Sequence, residues 1–242
     1  MILIYDDLES LSHAAAGLLV QQARQAVQDR GWFSVALSGG HTPRRTYELL
    51  TQKPFRDHMP WPHLHVFWGD ERCVPADDPR SNARMARQAL LDHVPVPPEQ
   101  IHPIPCGLAP PEAAKAYELL LRNFFPGQPP RFDLVFLGLG ENGHTASLFP
   151  GTPVLEERER WVADVYVAEQ KLHRVTLTAP IINQAAVVAF LVAGGGKAQI
   201  LQEVLETPRE PLRLPAQLIQ PRDGILEWLV DRQASHLLKR EV

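Results

Sequence analysis

Cysteine is almost missing from this chain: Cys73 and Cys106 are the only two in 242 residues. Two thiols build no disulfide framework, and neither stands at metal-ligand spacing from another cysteine or histidine. His58, His63 and His65 also lack the spacing of a metal site and sit in a proline-rich connector, so no metal is expected. An excess of basic charge is missing as well. Twenty-four Lys and Arg against 28 Asp and Glu leave a net charge of -4, which argues against nucleic acid as a partner. An anionic small substrate then has to be held by a few local cations. The longest apolar run, Ala185 to Ala193, is far below the ~20 residues of a membrane span, so no membrane partner is expected. Met1–Tyr5 meets Asp6-Asp7 with no basic n-region and reads as a short strand, not a signal peptide. With no repeat or low-complexity tract, the expectation is one cytoplasmic α/β domain spanning residues 1–242.

What is present is a recurrent strand-loop-helix pattern. Phe33 to Leu37, Leu64 to Trp68, Leu134 to Leu137 and Val187 to Val192 are short apolar runs of the kind buried on both faces of a parallel sheet. Helical stripes follow: Leu11 to Val27 with Ser10 as cap, a helix through Leu50, one capped by Ser81 through Leu91, one from Pro111 to about Phe125, one ending at Glu206, and a last one over about Gly224 to Leu238. Trp161 to Val167 and Arg174 to Thr178 read as two further β-rich stretches. Pro95 to Pro98 and Pro126 to Pro130 read as connecting loops rather than domain linkers. The pattern predicts a mostly parallel, Rossmann-like sheet flanked by helices.

Four strand ends carry unusual chemistry, and open α/β sheets bind ligands at the carboxyl ends of their strands. Ser38-Gly39-Gly40-His41-Thr42-Pro43 places two glycines before a helix start, where backbone N–H groups and the helix dipole favour an anion. Its plainer reading is a tight turn. Gly69-Asp70-Glu71-Arg72-Cys73-Val74-Pro75 offers in Arg72 a planar fork that matches phosphate. Asp70 and Glu71 are alternatively salt-bridge partners of Arg72 that merely hold the loop. Gly138-Leu139-Gly140-Glu141-Asn142-Gly143-His144 spells G-x-G-x-x-G, but Phe149-Pro150-Gly151 stops any helix within roughly two turns and no acid ends a second strand at the required distance. A dinucleotide cofactor is therefore not expected. The same turn delivers His144 to a strand end and makes it the candidate base. Arg174, and Lys197 after Gly194-Gly195-Gly196, complete a set of cations able to clamp an anion with Arg72. Ser147 lacks the G-x-S-x-G elbow of a nucleophile.

The ordered blocks Ser38-Gly39-Gly40-x-Thr42-Pro43, Asp70-Glu71-Arg72-x-Val74-Pro75 with Ser81-Asn82, Gly138 through Gly151, Arg174-Val175-Thr176-Leu177-Thr178 and Gly196-Lys197-Ala198 resemble the 6-phosphogluconolactonases over nearly the whole chain. That resemblance implies a sugar-phosphate-isomerase-like fold shared with glucosamine-6-phosphate deaminases. It also implies hydrolysis of 6-phosphoglucono-δ-lactone, a step of the oxidative pentose phosphate pathway. His144 would activate the water, while Gly39, Gly40, Thr42, Asp70, Arg72, Arg174 and Lys197 would bind substrate and its phosphate. The expected partner is one small phosphorylated sugar lactone, handled by a monomer without cofactor. Two positions depart from the family's pattern: Asn142 stands where aspartate is usual, and His41 where serine is common. The rival readings are an isomerase-deaminase with Asp70 as proton-abstracting base, and a non-catalytic sugar-phosphate-binding module.

Overall fold

The computed structural model describes residues 1–127 and 130–239; of the expected Pro126–Pro130 connector, Gln128 and Pro129 lie outside the described residues. In chain order the elements begin with β1 (Ile2–Tyr5), α1 (Leu8–Arg30), β2 (Phe33–Leu37), α2 (His41–Leu50), α3 (Phe55–His58) and β3 (Leu64–Trp68). Next come β4 (Asp70–Arg72), α4 (Asn82–Ala89), α5 (Pro110–Phe124), β5 (Leu134–Leu137), β6 (Val162–Val167) and β7 (Leu172–Leu177). The chain closes with α6 (Ala179–Ile182), β8 (Val187–Val192), α7 (Ala198–Glu206), β9 (Ile225–Asp231) and α8 (Arg232–Ser235).

Six strands form a wholly parallel sheet in the order β1-β9-β8-β5-β2-β3. Every residue of β2, β5 and β8 is buried, which explains their unbroken apolar runs: both faces of these strands are covered. Phe190 on β8 stacks on Trp228 of β9 with ring centroids 3.9 Å apart. Truncating Phe190, which is fully buried, removes a core anchor of the kind worth about 3–5 kcal/mol. A second, antiparallel sheet has the order β4-β7-β6. It grows directly out of the first, because β3 passes into β4 through Gly69 alone, whose N–H donates to the Leu37 carbonyl (2.9 Å) while its own carbonyl accepts from the Leu177 N–H (2.7 Å).

Four expectations are corrected. Residues 224–238 are not a helix: Ile225–Asp231 is a strand paired with β8 and β1, and only Arg232–Ser235 is helical. A short apolar run has no periodicity that separates strand from helix, and here two open strand edges claim it. The cap of α1 is Asp7, whose Oδ1 accepts from the Ser10 N–H at 2.8 Å, so Ser10 lies inside the helix. Asp70–Arg72 is a strand rather than a loop. Ser81 does cap α4, accepting from the Arg84 N–H, but that helix ends at Ala89 and Leu91 falls in a separate single turn. Among the described residues no helix is long and apolar enough to cross a membrane.

Candidate active site

From β2 the chain first steps outward to β3, then returns to the other side of β2 with β5, β8 and β9. The reversal between β2 and β5 opens a crevice at their carboxyl ends, since the connections there depart in opposite directions. A cavity of about 820 Å³ lies at this point. Gly39, Gly40, Thr42, Asp70, Arg72, His144, Arg174 and Lys197 all line it, so every residue singled out from the sequence converges on one space.

Its β2 side is built by backbone. Gly40 adopts φ 106°, a conformation that L side chains rarely take, and a Cβ on Gly39 would run into the Asn82 amide. Helix α2 then starts at His41 with no side-chain cap. The N–H groups of its first turn are left for an anion, and the helix dipole acts in the same sense.

His144 stands on the turn after β5. That turn contains no helix, contrary to what a dinucleotide loop requires. The Gly140 N–H donates to the His144 carbonyl at 2.8 Å, the Gly143 N–H to the Gly140 carbonyl at 3.0 Å, and the Thr145 hydroxyl to the Gly138 carbonyl at 2.9 Å. A Cβ on Gly140 would strike the imidazole. Ala146 sits at φ 47°, a left-handed conformation that costs a non-glycine residue roughly 1–2 kcal/mol. The imidazole stacks on Phe149 with centroids 3.9 Å apart. Its Nδ1 lies 2.6 Å from Asn142 Oδ1, and the same oxygen accepts from the His144 backbone N–H at 3.3 Å. That backbone donor requires the oxygen, not the amide nitrogen, at this point, and thereby puts the imidazole proton on Nδ1. Nε2 keeps its lone pair. Burial, then the positive charge of Arg174, pushes the imidazole pKa down to about 4, with Lys197 and Arg72 acting the same way and Asp70 opposing them. His144 is therefore neutral near pH 7, the form a base needs.

The far wall is the small sheet. Arg72 and Arg174 are directly opposite in the β4–β7 register, and Asp70 lies two residues before Arg72 on the same face. Like charges facing each other across strands repel, and Asp70 sets a carboxylate against one of them, Arg174. Asp70 Oδ2 accepts from the Ser147 hydroxyl at 2.6 Å and lies 3.4 Å from Arg174 Nη1, while Asn82 Nδ2 donates to Asp70 Oδ1 at 3.2 Å. The expected alternative, Asp70 or Glu71 paired with Arg72, is not what forms. Glu71 instead accepts from the Arg72, Asn82 and Ala83 N–H groups and the Ser81 hydroxyl, fastening β4 to the start of α4. Arg72 donates from Nη1 to the Arg80 carbonyl at 2.6 Å. The buried Nε atoms of Arg72 and Arg174 have no partner among the described residues. Arg72, Arg174 and Lys197 line the cavity with three carboxylates, of which only Asp70 is buried while Glu141 and Glu169 are exposed to solvent.

Other residues that shape this site were not legible as such. Gln170 Oε1 accepts from Arg174 Nη2 at 2.5 Å. The Tyr47 hydroxyl donates to the Ser38 carbonyl at 2.9 Å and accepts from the Ser38 N–H at 3.0 Å, pinning the β2 loop. Asp231 Oδ1 and Oδ2 both accept from the Gly194 N–H at 3.0 Å, so the end of β9 holds the loop that carries Lys197. Asp231 was hidden because its segment reads as helix interior.

A family model described as glucosamine-6-phosphate isomerases/6-phosphogluconolactonase matches residues 6–228. The chain is 47% identical over 219 residues, 89% of its length, to a 6-phosphogluconolactonase from Synechocystis sp., covering 88% of that protein. Its structure resembles 6-phosphogluconolactonase from Trypanosoma cruzi with a TM-score of 0.86 at 30% identity, over 99% of this chain and 97% of that one. A monomeric glucosamine-6-phosphate deaminase shares the fold, with a TM-score of 0.83 at 20% identity over 98% and 99% of the two chains.

Proposed function

Because the chain belongs to the glucosamine-6-phosphate isomerase/6-phosphogluconolactonase family, we propose that it hydrolyses 6-phospho-D-glucono-1,5-lactone to 6-phospho-D-gluconate in the oxidative pentose phosphate pathway, with His144 as general base. The observation that carries this reading is the state of His144: Nδ1 held by Asn142, Nε2 free, and the ring lining a cavity that also holds Arg72, Arg174 and Lys197.

A lactone is an activated ester, and water attacks its carbonyl once a base accepts the water proton. His144 Nε2 takes that proton and returns one to the departing ring oxygen. The developing oxyanion needs a donor, and the N–H groups of Gly140, Gly143 and His144 are already bonded within the turn. A cation therefore takes this role, and Arg174, over the same Phe149 ring at 5.1 Å on which His144 stacks, is the candidate. The distal phosphate is assigned to Arg72, Lys197 and the uncapped start of α2 at Gly39-Gly40-Thr42, which hold the carbonyl in place for attack. Phosphate binding offsets the cations that depress the imidazole and makes His144 a stronger base when substrate is present. The mechanism needs no group from a second subunit, so we propose that a monomer suffices, working in the cytoplasm where that pathway runs.

An isomerase-deaminase needs a carboxylate free to remove a carbon-bound proton. Asp70 is buried and already engaged by Ser147, Asn82 and Arg174, which disfavours that role. A non-catalytic module has no use for a histidine poised in this way. Lactone opening measured against the spontaneous rate tests the proposal. No acceleration overturns it, and exchange of carbon-bound hydrogen into deuterated water with glucosamine 6-phosphate would favour the deaminase.

A further inference from the structure

The two cysteines, 33 residues apart in sequence, meet: Cys73 Sγ and Cys106 Sγ are 3.3 Å apart. Cys73 directly follows Arg72 and is tied to the small sheet by its N–H, which donates to the His173 carbonyl at 2.9 Å. Cys106 sits in an irregular turn, with its N–H on the Ile104 carbonyl, and runs into exposed Gly107, Leu108 and Ala109. Both thiols are half-buried. A disulfide has its sulfurs about 2 Å apart, so closure asks for little more than 1 Å of approach, shared between the Cys106 turn and Cys73 at the end of β4.

We propose that Cys73 and Cys106 form a redox-modification site, oxidised by a hydroperoxide to an intramolecular disulfide that shifts the seat of Arg72. The two thiols are already differentiated. A hydrogen bond from Cys106 lowers the Cys73 pKa from its ordinary value, whereas the contact with Cys73 together with burial raises that of Cys106. Cys73, anchored to the small sheet, is taken as the attacking thiolate, and Cys106 on the irregular turn as the thiol that resolves it. Its sulfur attacks a peroxide oxygen, the O–O bond breaks, and Cys73 becomes a sulfenic acid as the leaving hydroxide is protonated to water. The Cys106 sulfur then attacks the Cys73 sulfur; the S–S bond forms, the S–O bond breaks, and hydroxide leaves with the Cys106 proton as a second water. Two thiols lose two electrons and two protons, and one peroxide becomes two waters. A dithiol reverses the change.

Arg72 is the residue next to the bridge and faces Arg174 across the sheet. Displacements of about 1 Å at positioning groups cost up to ~100-fold in rate. The bridged form is expected to raise KM by roughly threefold or more with a smaller change in kcat. The chemical part stands by itself, while the kinetic part rests on the lactonase reading.

The test treats reduced protein with hydrogen peroxide, blocks free thiols by alkylation, and reads the intact mass. The expected product is monomeric, lighter by about 2 Da, refractory to alkylation and restored by dithiothreitol. Cys106→Ser should lose that product and let dimedone trap Cys73 as a sulfenic acid, and its KM should not respond to peroxide. Two thiols that stay alkylatable, or bridges formed only between molecules, overturn the site whatever the protein's activity. A bridged protein that hydrolyses the lactone with the KM of the reduced form overturns the link to Arg72.

Discussion

The His144 turn and the β4–β7 sheet form two walls of one cavity, and they hold their working groups by different means. The turn is held largely by its own backbone, through Gly140, Gly143 and Thr145 bonding within the same few residues. The sheet holds Arg174 through its pair with Asp70, which also reaches Ser147, and holds Arg72 through the Arg80 carbonyl, partners 104, 77 and 8 residues apart. One wall is precise because glycines let the chain bend tightly. The other is precise because a buried carboxylate and guanidinium, both about 7% exposed at the side chain, are costly to separate. Damage to the turn should therefore act on turnover with the fold intact, and damage to the sheet on substrate affinity and stability.

The largest expected effect lies in the turn. His144→Ala should lower kcat by ~100-fold or more, the usual worth of a general base, and Gly140→Ala should approach it because the added methyl displaces the imidazole. Steady-state kinetics beside thermal melts check this; a lost Tm with retained kcat would reverse the comparison. Next comes the phosphate grip. Arg72→Ala or Lys197→Ala removes charge-assisted bonds worth about 1.5–3 kcal/mol, so KM should rise about 10- to 100-fold. A similar loss with an unphosphorylated lactone would show that neither cation reads phosphate.

Asp70→Asn probes the sheet itself. The amide keeps a hydrogen-bonding group for Ser147 but leaves Arg174 without its carboxylate, so stability to urea should fall, by less than the 3–5 kcal/mol of a fully broken buried pair. Measurable lactone hydrolysis should survive. A complete loss of activity in a folded Asp70→Asn protein would make that carboxylate the reacting base and favour the deaminase reading.

The smallest effect is a titration. Burial and three cations lower the His144 pKa to about 4, so its imidazole should stay neutral as pH falls from 8 to about 5 and protonate only below that. Binding of 6-phosphogluconate adds negative charge against those cations, and the midpoint should move up. Asn142→Asp should move it up in the free protein, because a carboxylate favours the imidazolium. Histidine-labelled NMR reads all three. A free-protein midpoint near 6.5 would mean that neither burial nor the cations act on this ring.

Much of the parallel sheet was legible because its strands are short, wholly apolar and followed by glycine turns, signals that lie within a few residues of one another. Phe33–Leu37, Leu64–Trp68 and Val187–Val192 occur where the pattern placed them. The turns that line the cavity were legible for the same reason: Gly39, Gly40, His144 and Lys197 stand on the turns that leave β2, β5 and β8. Strand β9 was not, because Ile225 to Val230 carries no period that distinguishes strand from helix until β8 and β1 stand beside it. That misreading also concealed Asp231 and its hold on Gly194.

Residue order along the chain dictates where it turns and which chemical groups arrive at the strand ends, since backbone conformation and apolar runs are encoded locally. How those groups are shared depends on long-range packing. Asp70 could answer Arg72, two residues away, or Arg174, 104 residues away, and the β4–β7 register gave it to Arg174. Glu71 went to the start of α4, and two distant cysteines came to 3.3 Å. Each outcome turns on which side chains share a face of a sheet, and that is settled only when strands far apart in sequence pair.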